Sequence, residues 1–401
     1  KDGNFIGDVY IASAAAVLSG GTYSRIAAGP GSKLSGFPAS GYTYYSNGSN
    51  QVIKLADIDA QSYRDNVTIK ECPHPSAADA AGKCEYCDTD ILAEVTIDGT
   101  TRYYTDIDKA WDTVRGKTAA IKLLKSINRE ACDSETLFLE SGNVTLDMAE
   151  GVILSNGEIG DWVISVGGGE LTLNSGTIQQ NGNENTGIII WDGILRIAGG
   201  TVEAGMGVYV AGGRTIITGG TFTGTDEDGV GLIRENGTVE ISGGTFSGVF
   251  CAVNVNGEAE GGTIASLLAD GFAFKQDGSW VNDADTKDRV TGTVTVHAVP
   301  VKITRQPVDT AGEYGSNASL SIETDKTSGI TYQWYEVKKD GSETEIKAGD
   351  NSGILTPSAK ARLDVGTYRY YCKASKDGYA VKSSTVTFSV TPRALTASLT
   401  G

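Results

Sequence analysis

Histidine, cysteine and proline are scarce in this chain of 401 residues, which contains 2, 6 and 8 of them. With only His74 and His297, a mechanism built on a histidine base has almost nothing to draw on. Six cysteines are too few to staple a scaffold of this length with disulfides. Few prolines beside 53 glycines, with no Gly-X-Y period, exclude collagen and suit a turn-rich β architecture. Positive charge is also short. Lys and Arg total 33 against 50 Asp and Glu, a net charge of −17 that argues against nucleic acid and anionic membrane surfaces as partners. No apolar run approaches a membrane span, so no membrane insertion is expected. The chain opens on Lys1-Asp2-Gly3 without a signal peptide and is expected to begin inside a longer protein. Gly-x-Ser-x-Gly, His-Glu-x-x-His and phosphate-loop patterns are missing too.

What the chain has is a repeat. Leu171-Thr-Leu-Asn-Ser-Gly-Thr-Ile178 is followed by Leu195-Arg-Ile-Ala-Gly-Gly-Thr-Val202, Thr215-Ile-Ile-Thr-Gly-Gly-Thr-Phe222 and Val239-Glu-Ile-Ser-Gly-Gly-Thr-Phe246, then a degraded Ala259-Glu-Gly-Gly-Thr-Ile264. A second short apolar run separates the copies, as in Val163–Val166, Ile188–Ile190, Val208–Val210 and Ala252–Val255. Aligned, the copies give one inward column of Leu173, Ile197, Ile217, Ile241 and Ala259, and another of Ile178, Val202, Phe222, Phe246 and Ile264. Thr172, Arg196 and Glu240 alternate with them and face water. Each turn is too short to bury its own apolar side and must stack on the next. Glycine at the corners lets the backbone bend where a Cβ would clash. The pattern predicts an all-β fold, a right-handed parallel β-helix of the pectate-lyase-like solenoid kind, over residues 143–300.

Residues 1–70 read as the tail of a preceding β-helix repeat. Ala16-Val-Leu-Ser-Gly-Gly-Thr-Tyr23 matches the later copies. Gly41-Tyr-Thr-Tyr44 with Asn66-Val-Thr-Ile69 echoes Gly271-Phe-Ala-Phe274 with Thr293-Val-Thr-Val296 at offsets of 230 and 227 residues (271 − 41, 293 − 66). Too few turns remain there for a solenoid that stands alone, and the segment is expected to lean on the second β-helix. Over 71–91, Cys72-Pro-His74 and Cys84-Glu-Tyr-Cys87 offer three thiolates and one imidazole, enough for a closed, structural zinc site of the ribbon kind. A Cys84–Cys87 redox pair, a disulfide or reduced thiols are the alternatives.

Residues 92–142 read as an entry cap. A hairpin turns at Asp98-Gly99. A helix capped by Thr105 carries Ile107, Ala110, Trp111 and Val114 on one side and stops at Gly116. Cys132 and Cys251 read as isolated, inert thiols. From 301 to 391 glycine thins, and Trp334 and Asp364-Val-Gly-Thr-Tyr368 resemble the core tryptophan and tyrosine corner of an immunoglobulin-like β-sandwich. Tyr370 stands where that family carries its second disulfide cysteine, so a disulfide-free variant held by packing is expected. Residues 392–401 read as the start of a further, truncated β-domain.

Taken together, Gly-Gly-Thr-Phe coils, a Cys-x-His…Cys-x-x-Cys insert and an immunoglobulin-like repeat resemble modular cell-surface proteins of Gram-positive gut bacteria. That resemblance implies secretion and an extracellular place on the cell wall, held through segments not in this chain. It points to a non-catalytic module, an adhesin or rigid stalk, whose partner is a host glycan or host surface protein, and which acts as a monomer. The alternative is a carbohydrate-active enzyme, a polysaccharide lyase or glycoside hydrolase using acids on one face of the coils. Asp161-Trp162 and Trp191-Asp192 are the candidate ligand-binding residues, because tryptophan beside carboxylate suits a sugar ring. Asp226, Glu227 and Asp228 read as a solvated loop, and the arginines as strand-face charges paired with Glu170 or Glu240 across coils.

Overall fold

Each Gly-Gly-Thr phrase supplies two short strands and a corner, and strands that short gain a core only from their neighbours. In the computed structural model they gain it by stacking. The structure describes residues 4–13, 15–129, 136–156, 162–180, 185–248, 250–255, 262–284, 287–347, 352–360 and 363–394. It divides into two compact units, Lys1–Gly262 with Arg289–Thr293, and Thr263–Asp288 with Val294–Gly401.

The first unit contains a parallel β-helix with three strands to the coil. Thr118–Leu123, Asn143–Met148, Glu170–Leu173, Ile194–Ile197, Arg214–Ile217 and Thr238–Ile241 pair in parallel as one sheet. Ile127–Asn128, Ile153–Ser155, Thr177–Gln179, Thr201–Ala204, Thr221–Gly224 and Thr245–Gly248 form a second. Leu137–Leu139, Trp162–Val166, Thr186–Ile190, Met206–Val210, Val230–Arg234 and Cys251–Val255 form the third. The register sets Leu173, Ile197, Ile217 and Ile241 on successive rungs, all buried. Ile178, Val202, Phe222 and Phe246 do the same, with the two rings stacked at 4.8 Å and 12°. Each such side chain contributes about 1.5–3 kcal/mol by leaving water. The fifth phrase behaves differently. Ala259 lies outside the described residues, and Ile264 opens a 3-10 turn, Ile264–Leu267.

The entry is closed as its pattern requires. Ala93–Ile97 and Thr100–Tyr104 form a hairpin antiparallel to Thr118–Leu123. The helix Ile107–Val114 buries Ile107, Ala110, Trp111 and Val114, and the Trp111 indole N–H donates to the Phe138 carbonyl at 3.0 Å. Its cap is Asp106, not Thr105. With the helix beginning at Ile107, only the Asp106 carboxylate reaches the amides of Asp108 and Lys109, at 2.9 and 3.3 Å, and Thr105 stands one residue too early.

Ahead of the solenoid, Asn4–Ile11 runs parallel to Gly21–Ala28, while Tyr63–Glu71 pairs antiparallel with Gly21–Ala28 and Tyr42–Ser46. The second unit repeats the end of this arrangement. Phe272–Gln276 pairs antiparallel with Val294–Ala298, setting Phe272 opposite Ala298 just as Tyr42 stands opposite Glu71. The Val299 amide donates to Gly271 as the Cys72 amide donates to Gly41. Residues 4–71, the N-terminal end-module, therefore close on a strand pair that recurs in this hairpin.

The rest of the second unit is the sandwich. Thr310–Glu313, Val386–Thr391, Gly366–Lys376, Thr331–Val337 and Glu343–Glu345 make one sheet in that order. Leu320, Ile322, Trp334, Tyr370 and Phe388 lie in its core, and the Tyr368 hydroxyl donates to the Asp364 carbonyl at 3.1 Å as a tyrosine corner should. Tyr370 is buried in that core, and Cys372 beside it is a free thiol. Of residues 392–401, those from 395 on lie outside the described residues.

Gly193 holds φ at +82°, and a Cβ there would stand 2.4 Å from the Gly169 carbonyl of the coil beneath. Gly193→Ala should cost about 2–4 kcal/mol in urea unfolding, combining left-handed strain with a backbone clash. Gly99→Ala, at φ +75° in open space, should cost about 1 kcal/mol. Equal losses at the two sites would contradict the close stacking.

Candidate functional site

Two features of the first unit depart from what a bare scaffold needs. The first is the loop joining the N-terminal end-module to the solenoid entry. Its Cys84-Glu-Tyr-Cys87 segment turns tightly, with the Asp88 amide returning to the Cys84 carbonyl at 2.9 Å and the Cys84 amide donating to Thr89 at 2.8 Å. Cys72 and His74 arrive from the end of the Tyr63–Glu71 strand. The ligand atoms of Cys72, His74, Cys84 and Cys87 lie within 4.8 Å of one another. Cys72 and Cys84 sulfurs are 3.7 Å apart, and Cys87 Sγ is 3.6 Å from His74 Nδ1. A disulfide would need about 2.05 Å, and Cys72, Cys84 and Cys87 are free. In a tetrahedral site with metal–sulfur bonds of about 2.3 Å the sulfurs stand about 3.8 Å apart, close to the Cys72–Cys84 separation, so the donors are gathered to the scale of one ion.

Cys72, Cys84 and Cys87 with the His74 imidazole are a donor set for a soft or borderline divalent cation. Thr105, released from capping, stands 3.4 Å from His74 Nε2, where it can orient the ring. His74 at φ +44° and Asp88 at φ +56° hold left-handed backbone that non-glycine residues seldom adopt, a strain typical of positions fixed by what they bind. Hydrogen bonds from Cys72 and Cys84 hold the Cys87 thiol far below its ordinary value, and the same contacts push Cys72 up. Burial works against the His74 imidazolium, but Cys84 and Cys87 outweigh it and lift the group to about 9. No protein-family model matches the chain, and no curated protein matches it.

The second feature is the outer face of the third sheet. The outward row of the first sheet includes Thr145, Thr172, Arg196, Ile216 and Glu240, and that of the second includes Gln179, Glu203, Thr223 and Ser247. The third reads Phe138, Ser165, Ile189, Tyr209, Ile233 and Asn254. Val230, Ile233 and Cys251 form a cluster of their own, with Met206 and Tyr209 packed against it. The Trp162 and Trp191 rings meet edge to face at 5.9 Å and 85°, and Trp191 remains 48% exposed. The two expected tryptophans are thus brought together. Asp192 turns back to accept from the Gly193 amide at 2.7 Å, and Asp161 lies outside the described residues.

The sequence reading missed Phe138, Ile189, Tyr209 and Ile233 on this face. The unbroken apolar run Ile188–Ile190 was the available signal, since a strand buried on one side only should alternate. Elsewhere Arg196 pairs with Glu170 at 2.6 Å and Arg214 with Glu240 at 3.0 Å, the cross-coil pairs expected of strand-face charges. Arg129 was not anticipated either. It is buried and ties the first coil to Asp108 of the entry helix and to Asn156. Cys251 is buried as expected of an inert thiol, and Cys132 lies outside the described residues.

In chelator-treated protein, iodoacetamide should alkylate Cys87 first and keep doing so at about pH 6, because a thiol with a lowered pKa stays ionised there. Cys372, whose thiol burial pushes up to about 12, should lag far behind. Peptide mass spectrometry reads the order, and Cys372 reacting first would contradict the site's electrostatics.

Proposed function

We propose that this chain is a non-catalytic, extracellular module of a Gram-positive bacterial surface protein, an adhesin or rigid stalk that presents the outer face of its third sheet to a ligand. The cell wall holds it through other segments of the protein. The observation that carries this reading is the contrast between that face and its two neighbours. An apolar row interrupted only by Ser165 and ending at Asn254, with Trp162 and Trp191 beside it, stands on a solenoid whose other outward rows are mainly polar. Within that row Ser165, Ile189 and Ile233 are themselves covered, and the ring surface open to a ligand is that of Trp191, 48% exposed, and Phe138, 38% exposed. Exposed aromatic surface is kept where something docks. Indole and phenol rings suit the C–H faces of sugars and the apolar patches of proteins alike, so a host glycan or host surface protein is the partner class. Tyr209, hydrogen-bonded to Glu235, adds a polar group at the rim.

The metal in this reading is zinc. Cys72, His74, Cys84 and Cys87 would occupy all four tetrahedral positions, leaving none for substrate, so the ion stabilises a loop and does no chemistry. The loop's own core is small, Cys72, Cys84 and Ile91 with a few half-buried neighbours.

Glycan arrays and host-protein pull-downs with the wild type and Trp191→Ala test the binding surface. The variant should fold normally, since Trp191 is half exposed, and lose about tenfold or more in affinity. Wild type and variant binding every glycan and protein alike would remove the assignment, and polysaccharide turnover abolished by Asp192→Asn would replace it with an enzyme. Elemental analysis should find one zinc per chain, lost in Cys84→Ser. A chain that takes up no zinc after reduction and reconstitution would exclude that part.

A further inference from the structure

The four ligands come from two different sides. Cys72 and His74 continue directly from the strand Tyr63–Glu71, the last of the N-terminal end-module. Cys84 and Cys87 lie on the approach to Ala93–Ile97, the strand that lies against the first coil of the solenoid. An ion held by all four therefore closes a ring between the strand that leaves one body and the strand that enters the next. Bringing the two pairs together is what folds the intervening loop.

That loop carries contacts on both of its faces. Toward the end-module, the Gly41 amide donates to Thr89 Oγ1 at 3.1 Å, Thr43 Oγ1 donates to the Tyr86 carbonyl at 2.5 Å, and the Leu55 amide donates to the Glu85 carbonyl at 3.1 Å. Toward the solenoid, Leu124 donates to the Leu92 carbonyl at 2.9 Å, Lys125 pairs with Asp90 at 2.6 Å, and Tyr103 and Leu124 pack on the loop's small core. The end-module has its own core, built around Ile26, Leu34, Phe37, Tyr44 and Ile58. Its direct tie to the entry helix, Glu71 with Lys109 at 3.0 Å, is exposed on both sides and of a kind that contributes little.

We propose that the metal bound by Cys72, His74, Cys84 and Cys87 is the pin of a joint, fixing the N-terminal end-module to the solenoid entry when present and releasing it when removed. The proposal rests on the metal reading above and adds a consequence to it. The recurring strand pair shows the contrast. There the chain leaves at Val299, the counterpart of Cys72 (299 − 72 = 227, the spacing of the duplicated strands). In place of a ligand set, Trp280 donates to the Asp377 carbonyl at 3.1 Å, and the Asn282 side chain donates to Gly378 and accepts from the Ala380 amide, both at 3.1 Å. One strand pair is fastened to the sandwich through a side-chain amide and an indole, the other to the solenoid entry through a metal-organised loop.

Hydrogen exchange on the whole chain, as purified, after chelation and after zinc is restored, tests this, with metal content and small-angle scattering measured on the same samples. Chelation should speed exchange about tenfold or more in peptides containing Gly41, Leu55 and Leu124. It should also enlarge the radius of gyration, and zinc should reverse both. Peptides containing Ala380, and those from the coils between Ile194 and Ile217, should not respond. If zinc leaves stoichiometrically but exchange rises only within 72–91 and the scattering is unchanged, the joint is refuted while the metal site stands. If no zinc is present or taken up, the site and the joint fall together.

Discussion

The solenoid of the first unit depends on one constraint: a coil cornered by glycine has an apolar side it cannot cover by itself. The second rung of a Leu173–Ile197–Ile217–Ile241 column is buried because the first and third exist. The same constraint makes the ends of the stack its weak points. At the entry, a hairpin and a short helix solve the problem, with Trp111 laid on the first coil and Arg129 reaching back to Asp108. A buried guanidinium is costly unless paired, and its pairing with Asp108 and Asn156 fixes the helix in one orientation.

Two strand pairs of the same register stand in one chain, and each passes the polypeptide on at the equivalent residue, Cys72 or Val299. The next segment is a Cys/His loop in one case and a sandwich in the other.

The sequence revealed most where chemistry and period coincide. The inward columns were readable because glycine corners and alternating side chains recur together, and the Cys/His set because its spacing has few other uses. Asp98-Gly99, Trp111 and Tyr368 were readable for similar local reasons. Adjacent residues of the same capping class blurred the helix start, where Asp106 took the place expected for Thr105. The outer face of the third sheet was half seen. Trp162 and Trp191 stand out as residue types, but Ile189 and Ile233 sit in apolar runs that do not alternate because both of their faces are buried. Arg129 was invisible for a different reason, since its partners Asp108 and Asn156 are set by packing alone.

The stacking itself is most directly tested by a double-mutant cycle on Phe222 and Phe246, 24 residues apart in sequence (246 − 222) and 4.8 Å apart between ring centroids. Phe222→Leu, Phe246→Leu and the double variant are unfolded in urea. Rings stacked on adjacent rungs should show a coupling of about 0.5–1.5 kcal/mol beyond the sum of the single losses. Strict additivity would mean the two side chains do not touch, and the stacked-coil account would be wrong.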